Sequence, residues 1–185
     1  MAYRKVNFLG KYALTNKVNS VDFIKIWSHY DSDGSGYLER RELDNFLVDF
    51  ISSRHGKELT EEELDGLRNK VMMTADVNRD GKIELGEFAN LLSIEENFMK
   101  KFSSRKSLSR RDFNEIFMHY DPDGNGFIEG TELLALIRDI MTKVDQRVTL
   151  KDLMDYQEVV LSVFDKNTDG RLSRKELGLL LSIQK

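Results

Sequence analysis

The sequence contains no cysteine and a single proline, Pro122, among 185 residues. Without cysteine, neither a disulfide framework nor thiol chemistry can contribute to fold or function. No apolar stretch approaches the roughly 18 residues of a transmembrane helix. The segment that begins Met1-Ala2 has neither the apolar run of a signal peptide nor the glycine that myristoylation requires. These absences predict a cytoplasmic protein with no transmembrane segment.

Histidine is also scarce, and the three histidines form no recognisable catalytic or metal-binding pattern. His29 and His119 stand at equivalent positions of an internal repeat, which argues for helix packing or partial exposure, and His55 lies in a polar turn. The sequence has no nucleophile motif and no phosphate-binding glycine loop. We therefore expect no enzyme. Its net charge of −4 argues against nucleic-acid binding.

Four twelve-residue segments follow one strict rule, at 31–42, 76–87, 121–132 and 165–176. Each has Asp at position 1, oxygen-bearing side chains at 3 and 5, Gly at 6, a hydrophobic residue at 8 and Glu at 12. Calcium takes six to eight oxygen ligands, and a loop of this pattern supplies them from positions 1, 3, 5, 7, 9 and 12. Position 7 contributes its carbonyl, position 9 usually holds a water molecule, and the glycine permits the sharp turn. The spacing predicts up to four calcium ions.

The predicted metal ligands, in the order of those six loop positions, are Asp31, Asp33, Ser35, Tyr37, Glu39 and Glu42; Asp76, Asn78, Asp80, Lys82, Glu84 and Glu87; Asp121, Asp123, Asn125, Phe127, Glu129 and Glu132; and Asp165, Asn167, Asp169, Arg171, Ser173 and Glu176. Lys82 contributes only its carbonyl, so its side chain can point to water. The fourth loop has three carboxylates at these positions and the others have four, so the fourth site is predicted to be the weakest. The competing interpretation, acidic turns without a metal, is disfavoured by four matches at steps of 45, 45 and 44 residues.

Apolar residues at helical spacing flank every loop, so each loop is predicted to join two helices and form a helix–loop–helix hand. Ser20 is predicted to cap the first helix. Thr60 and Glu63 form a capping box, and Thr149 with Asp152 is expected to open the last entering helix.

The residue at position 8 of each loop is extended, and its backbone groups need a partner. We expect Leu38 to pair with Ile83, and Ile128 with Leu172, in two short antiparallel ladders. The predicted fold is therefore all-α, with four hands in two paired-hand domains and minimal two-stranded β ladders between paired loops.

A longer repeat of about 90 residues joins the hands in pairs, the size of a compact domain. Asn7-Phe8-Leu9 corresponds to Asn97-Phe98-Met99, and Leu91-Leu92-Ser93-Ile94 recurs as Leu180-Leu181-Ser182-Ile183. The predicted domains are 1–94, with the first two loops, and 95–185, with the other two.

The junction 91–99, LLSIEENFM, and the segment 113–121, FNEIFMHYD, resemble the EF-hand proteins of the calbindin, calretinin and secretagogin family. The 44–45-residue step and the long segments between paired loops are similar as well. The resemblance covers nearly the whole chain and implies an all-helical cytosolic calcium protein that acts as a buffer, a sensor or both. Members of the family carry six hands and this chain has four, so it is either a four-hand member or a segment of a six-hand protein.

A basic run with no intervening acid follows the predicted domain boundary; it consists of Lys100, Lys101, Arg105, Lys106, Arg110 and Arg111. Its functional interpretation is a patch for an acidic partner or acidic lipid, and its plain interpretation is a solvated linker that balances two acidic domains. We favour the plain interpretation.

Two functions remain open at this stage. A buffer would bind calcium with little change of shape, whereas a sensor would open its helix pairs and grip an amphipathic target helix. Methionines can line such a groove, but core packing is the simpler explanation for those on helical segments, namely Met72, Met73, Met118, Met141 and Met154. We favour calcium binding with sensor capability, expect calcium in preference to Mg²⁺, which can occupy the sites at rest, and keep a regulatory subunit of a larger complex as a further alternative.

Overall fold

The computed structural model describes residues 7–12, 17–56, 58–92, 94–142 and 148–181. The chain divides into two compact units, Met1–Glu95 and Glu96–Lys185. Within the described residues the fold is mostly helical, with eight α-helices and two small antiparallel sheets, which confirms the predicted all-α class. No helix of the described residues combines the length and the apolar character that crossing a membrane needs.

The first unit opens with a 3-10 turn, Phe8–Lys11, which precedes the two hands. Its elements then follow in the order α1 (Ser20–Tyr30), β1 (Tyr37–Leu38), α2 (Arg40–His55), α3 (Glu61–Ala75), β2 (Ile83–Glu84) and α4 (Leu85–Leu91).

The second unit repeats this order, beginning with the 3-10 turn Phe98–Phe102. Its elements are α5 (Arg110–Tyr120), β3 (Phe127–Glu129), α6 (Gly130–Met141), α7 (Leu150–Phe164), β4 (Arg171–Ser173) and α8 (Arg174–Leu180).

Polar side chains cap the entering helices, where they accept hydrogen bonds from backbone N–H groups that have no partner within the helix. Thr60 and Glu63 form the expected reciprocal capping box, as does Thr149 with its partner three residues on. The prediction for the first helix was wrong by one residue, because Asn19 is the cap and Ser20 is already helical. Asparagine is as good a cap as serine, so these two adjacent residues compete for the position.

Both predicted ladders are present. Leu38 pairs with Ile83, and Ile128 pairs with Leu172, each within an antiparallel register. All four side chains are almost completely buried. Each ladder therefore ties two loops together at the top of one hydrophobic core.

Aromatic rings dominate the core of the first unit. Trp27 is fully buried and meets Phe88 edge to face, with ring centroids 5.4 Å apart, and Phe46 meets Phe88 at 4.8 Å. The indole Nε1 of Trp27 has no hydrogen-bond partner among the described residues. In the second unit Phe117 occupies the equivalent repeat position, so that core contains no such donor.

The methionines correct one prediction. Met73, Met118 and Met154 are 87%, 73% and 54% exposed, so core packing does not explain them. Met72 and Met141 are partly buried. Helical spacing alone did not reveal which face of α3, α5 and α7 each methionine occupies.

Candidate metal centres

A hydrogen bond between the residues at positions 1 and 6 closes each loop. The carboxylate at position 1 follows directly on the last residue of an entering helix and accepts a hydrogen bond from the backbone N–H of the glycine at position 6. The donor and acceptor atoms are 3.1, 3.0, 3.0 and 2.8 Å apart in loops one to four. These glycines have φ between 79° and 85°, a left-handed conformation that other residues rarely adopt. Four equivalent N–H groups therefore report on four separate loops.

Positions 3 and 5 turn their side-chain oxygens toward the loop interior. In the first loop the Ser35 N–H donates to Asp33 Oδ1 at 2.9 Å. In the third, the Asn125 N–H donates to Asp123 Oδ1 at 3.0 Å, and the Phe127 N–H donates to Asn125 Oδ1 at 2.8 Å. These short side-chain bonds build the turn without a regular helix or strand.

The glutamate at position 12 begins the exiting helix and also reaches back into the loop. Glu42 Oε2 accepts the N–H of Glu39 at 3.2 Å in a capping box, and Glu42 Oε1 accepts the N–H of Ser32 at 2.8 Å. Glu87 and Glu176 make the same pair of contacts with positions 2 and 9 of their own loops. The capping box therefore fixes the orientation of the carboxylate that a cation would meet.

Carboxylates converge most clearly in the first and third loops. Oxygens of Asp31, Asp33 and Glu42 all lie within 4.8 Å of one another, and Asp121, Asp123 and Glu132 are arranged in the same way. The second and fourth loops have Asn78 and Asn167 at position 3, so an amide oxygen replaces one of these carboxylates. All 24 predicted ligand residues lie in the described residues, and the four loops hold them in four separate groups.

One oxygen in the first loop lacks the partner that its burial demands. Asp31 is buried, and its Oδ1 has no hydrogen-bond partner among the described residues. Burial raises the pKa of Asp31; the Gly36 N–H opposes this effect, and the nearby Glu42 carboxylate raises the pKa further. A buried charge without a counter-charge is costly, and a cation removes the cost. Hard oxygen donors grouped in this way suit calcium or magnesium.

Comparison with known proteins assigns these loops to a family. A family model described as an EF-hand domain pair matches residues 21–108 and again 110–177. The chain belongs to the EF-hand family.

Curated EF-hand relatives match most of the chain. Secretagogin from Danio rerio is 37% identical over 169 residues, which cover 90% of this chain and 62% of the relative. Calbindin-32 from Drosophila melanogaster is 38% identical over 176 residues, which cover 91% of this chain and 57% of the relative. Calretinin from Bos taurus is 36% identical over 171 residues, which cover 91% and 62%.

These relatives confirm the resemblance to the calbindin, calretinin and secretagogin proteins, and with it the expectation of a calcium-binding protein rather than an enzyme. The chain spans about three fifths of the length of the relatives described above.

A basic side chain from the second loop of each EF-hand pair reaches the first loop. Lys82 Nζ lies 2.8 Å from Glu39 Oε1, so this side chain stays partly exposed, as the sequence allowed, and also pairs with the first loop. The hydrogen bond from Lys82 to Glu39 raises the pKa of the ammonium group. In the second pair Arg171 lies 3.7 Å from Glu129 and 3.0 Å from Asp169. Pairing between loops could have been anticipated from the ladder register, because it brings position 7 of one loop beside position 9 of its partner.

The basic run at 100–111 is partly neutralised within its own unit. Lys100 lies 3.9 Å from Glu96, Lys101 lies 3.6 Å from Glu115, and Arg105 is paired with Asp112. Its other members, Lys106, Arg110 and Arg111, are exposed. The run includes part of a 3-10 turn and the first residues of α5, so it is more than a plain linker.

Proposed function

We propose that each of the four EF-hand loops binds one calcium ion through the 24 residues predicted from the sequence. The observation that carries this proposal is the convergence of carboxylate oxygens within 4.8 Å in the first loop, where the buried Asp31 Oδ1 has no hydrogen-bond partner in the part of the chain that the structure describes. The side chains would bind and orient the ion, position 7 would add its carbonyl, and the glutamate at position 12 would add two oxygens. Bound calcium would neutralise carboxylates that otherwise repel one another.

The two loops of a pair are proposed to load cooperatively. Leu38 and Ile83 lie in one ladder and share one core, so ordering one loop prepares the other. The same argument applies to Ile128 and Leu172 in the second pair. Domains at 1–94 and 95–185 would then each form one binding unit.

Calorimetric titration with calcium, at a constant millimolar concentration of magnesium, tests the stoichiometry. We expect four ions per chain and displacement of magnesium by micromolar calcium, because magnesium needs near-octahedral geometry and the loops offer more oxygens than that. The matched control is the chain in which all four position-12 glutamates are changed to glutamine; it should lose most of the signal. Fewer than four ions, or magnesium that persists against micromolar calcium, would contradict the proposal.

A sensor role is the second part of the proposal, and the exposed methionines favour it. Met73, Met118 and Met154 lie on the surface, and Tyr156, Val159 and Val163 form an exposed apolar stripe on α7. Flexible methionine-rich surfaces suit binding of an amphipathic target helix. Four ions would also change the formal net charge from −4 to +4, which favours an acidic partner or acidic lipid at the basic run.

Binding of an apolar fluorescent probe, measured as calcium is added, distinguishes a sensor from a pure buffer. In either role the protein is proposed to act in the cytoplasm. A rise in probe binding with calcium would show that loading exposes additional apolar surface. A change in Trp27 emission without additional probe binding would instead favour a buffer, because Trp27 is the only tryptophan and lies in the core of the first unit.

A further inference from the structure

Each unit contains a short segment before its first hand, and the two segments are repeats of each other. The first consists of Asn7 and the 3-10 turn Phe8–Lys11, and the second of Asn97 and the 3-10 turn Phe98–Phe102. We refer to these segments as the straps. They contact α2 and α6 respectively, the exiting helices of the first hand in each unit.

An asparagine fastens each strap at two points. The side-chain Oδ1 of Asn7 accepts a hydrogen bond from the N–H of Leu9 at 2.9 Å, and its side-chain Nδ2 donates to the backbone carbonyl of Asp49, in α2, at 2.7 Å. Leu9 is completely buried. The side chain of Asn7 therefore shapes the strap and links it to an exiting helix 42 residues away.

The second strap is fastened in the same way. Asn97 accepts the N–H of Met99 at 2.9 Å and donates to the carbonyl of Asp139, in α6, at 2.6 Å. Met99 is 5% exposed. The same arrangement occurs in both units, so it belongs to the repeated unit and is not peculiar to one strap.

A phenylalanine attaches the strap to the entering helix. The Phe8 ring lies flat on His29, with centroids 3.6 Å apart and an interplanar angle of 5°. Phe98 lies on His119 at 3.7 Å and 4°. Each histidine is two residues before the first predicted ligand of its loop, so the strap holds the end of the entering helix where the loop begins.

A tyrosine links the entering helix directly to the exiting helix by a hydrogen bond. Tyr30 is the last residue of α1, and its hydroxyl donates to Asp49 Oδ2 at 2.8 Å. Tyr120, the last residue of α5, donates to Asp139 Oδ2 at 2.7 Å. The strap, the entering helix and the exiting helix are thus joined pairwise, next to position 1 of the loop.

We propose that the straps are positioning elements of the first calcium site in each unit. This inference rests on the proposed binding of calcium at Asp31 and Asp121. Asp31 follows α1 and Glu42 lies in the first turn of α2, so their separation depends on the angle between these helices. A strap that fixes the angle orders the ligands before the ion arrives, which raises affinity by reducing the cost of ordering on binding.

Site-resolved calcium titration of the full chain tests the proposal, with the amide resonances of Gly36 and Gly126 as readouts. Asn7→Ser retains a short acceptor for the strap turn but cannot reach α2. We expect it to weaken calcium binding in the first loop, reported by Gly36, on the order of tenfold, which corresponds to the net contribution of about one hydrogen bond. Calcium binding in the third loop, reported by Gly126, should stay unchanged. Asn97→Ser should give the reverse pattern.

Phe8→Tyr and Phe8→Leu separate ring stacking from simple packing. Tyrosine retains the flat ring over His29 and should keep the affinity, whereas leucine fills space without stacking and should lower it. If Asn7→Ser and Phe8→Leu lower the melting temperature of the first unit but leave calcium affinity at Gly36 within twofold of wild type, the straps merely pack and the inference is wrong. If no glycine responds to calcium in the unmodified chain, the proposed function fails instead.

Discussion

Glu42→Gln removes one charge from the first loop while preserving the size of the side chain. In the structure both oxygens of Glu42 are occupied, one by the N–H of Ser32 and one by the N–H of Glu39. Glutamine has one oxygen, so it can retain one of these contacts and contributes no negative charge. The variant should therefore fold but bind calcium poorly at this loop.

The magnitude follows from the Coulomb energy. A carboxylate charge about 2.4 Å from a divalent ion contributes about 3.5 kcal/mol even with the dielectric constant of bulk water. Glu42 is only 8% exposed, so screening by water is weaker than that limit. Each 1.4 kcal/mol is a factor of ten, which predicts a loss of affinity of about a hundredfold or more.

A calcium titration that follows the amide resonance of Gly36 measures this loss of affinity in the first loop. The amide resonance of Gly81 measures the coupling to the second loop. We expect Gly81 to titrate at higher calcium in the Glu42→Gln variant as well, because the two loops share a ladder. Glu62→Gln is the control, since it removes the same charge from an exposed position on α3. An unchanged Gly36 titration would refute the assignment of Glu42 as a ligand, and an unchanged Gly81 titration would refute the coupling.

Three further predictions concern the fourth loop and the two cores. The fourth loop has one carboxylate fewer than the others, so Gly170 should be the last of the four glycines to saturate; its saturation first would contradict ranking by charge. Tyr120→Phe should lower the free energy of unfolding by about 1.5–3 kcal/mol, because it removes a hydrogen bond to the fully buried carboxylate of Asp139. Tyr30→Phe is its matched control and should cost less, since the carboxylate that it contacts is only partly buried; equal costs in chemical denaturation would refute this reasoning. Trp27→Phe should change the free energy of unfolding by no more than about 1 kcal/mol, because the lost packing is offset by removal of a buried N–H that has no hydrogen-bond partner among the described residues; a loss of several kcal/mol would refute this offset.

Local chemistry made much of this fold predictable. The pairing of Leu38 with Ile83 follows from loop spacing alone, and the capping box of Thr60 from two residues three apart. The error at Ser20 arose because asparagine and serine cap equally well; the signal that favours Asn19 is Asp22, three residues later, whose N–H donates to Asn19 Oδ1 at 2.9 Å.

Long-range contacts explain what sequence reasoning missed. Nothing near Asn7 in the sequence indicates that it contacts the carbonyl of Asp49, because that contact depends on how the whole unit packs. The salt bridge from Lys82 to Glu39 also crosses between loops. The exposure of Met73 was missed for a related reason: helical periodicity identifies two faces but does not show how far a neighbouring helix covers each one.

Four separate loops are each proposed to bind calcium, and the four glycine N–H groups at position 6 give one readout for each loop. Each donates to the first carboxylate of its own loop, so its resonance changes when that carboxylate binds an ion. In a calcium titration at millimolar magnesium, the resonances of Gly36, Gly81, Gly126 and Gly170 should all move and saturate below about 10 μM free calcium. Any one of these resonances that stays fixed up to millimolar calcium would contradict the claim for its loop.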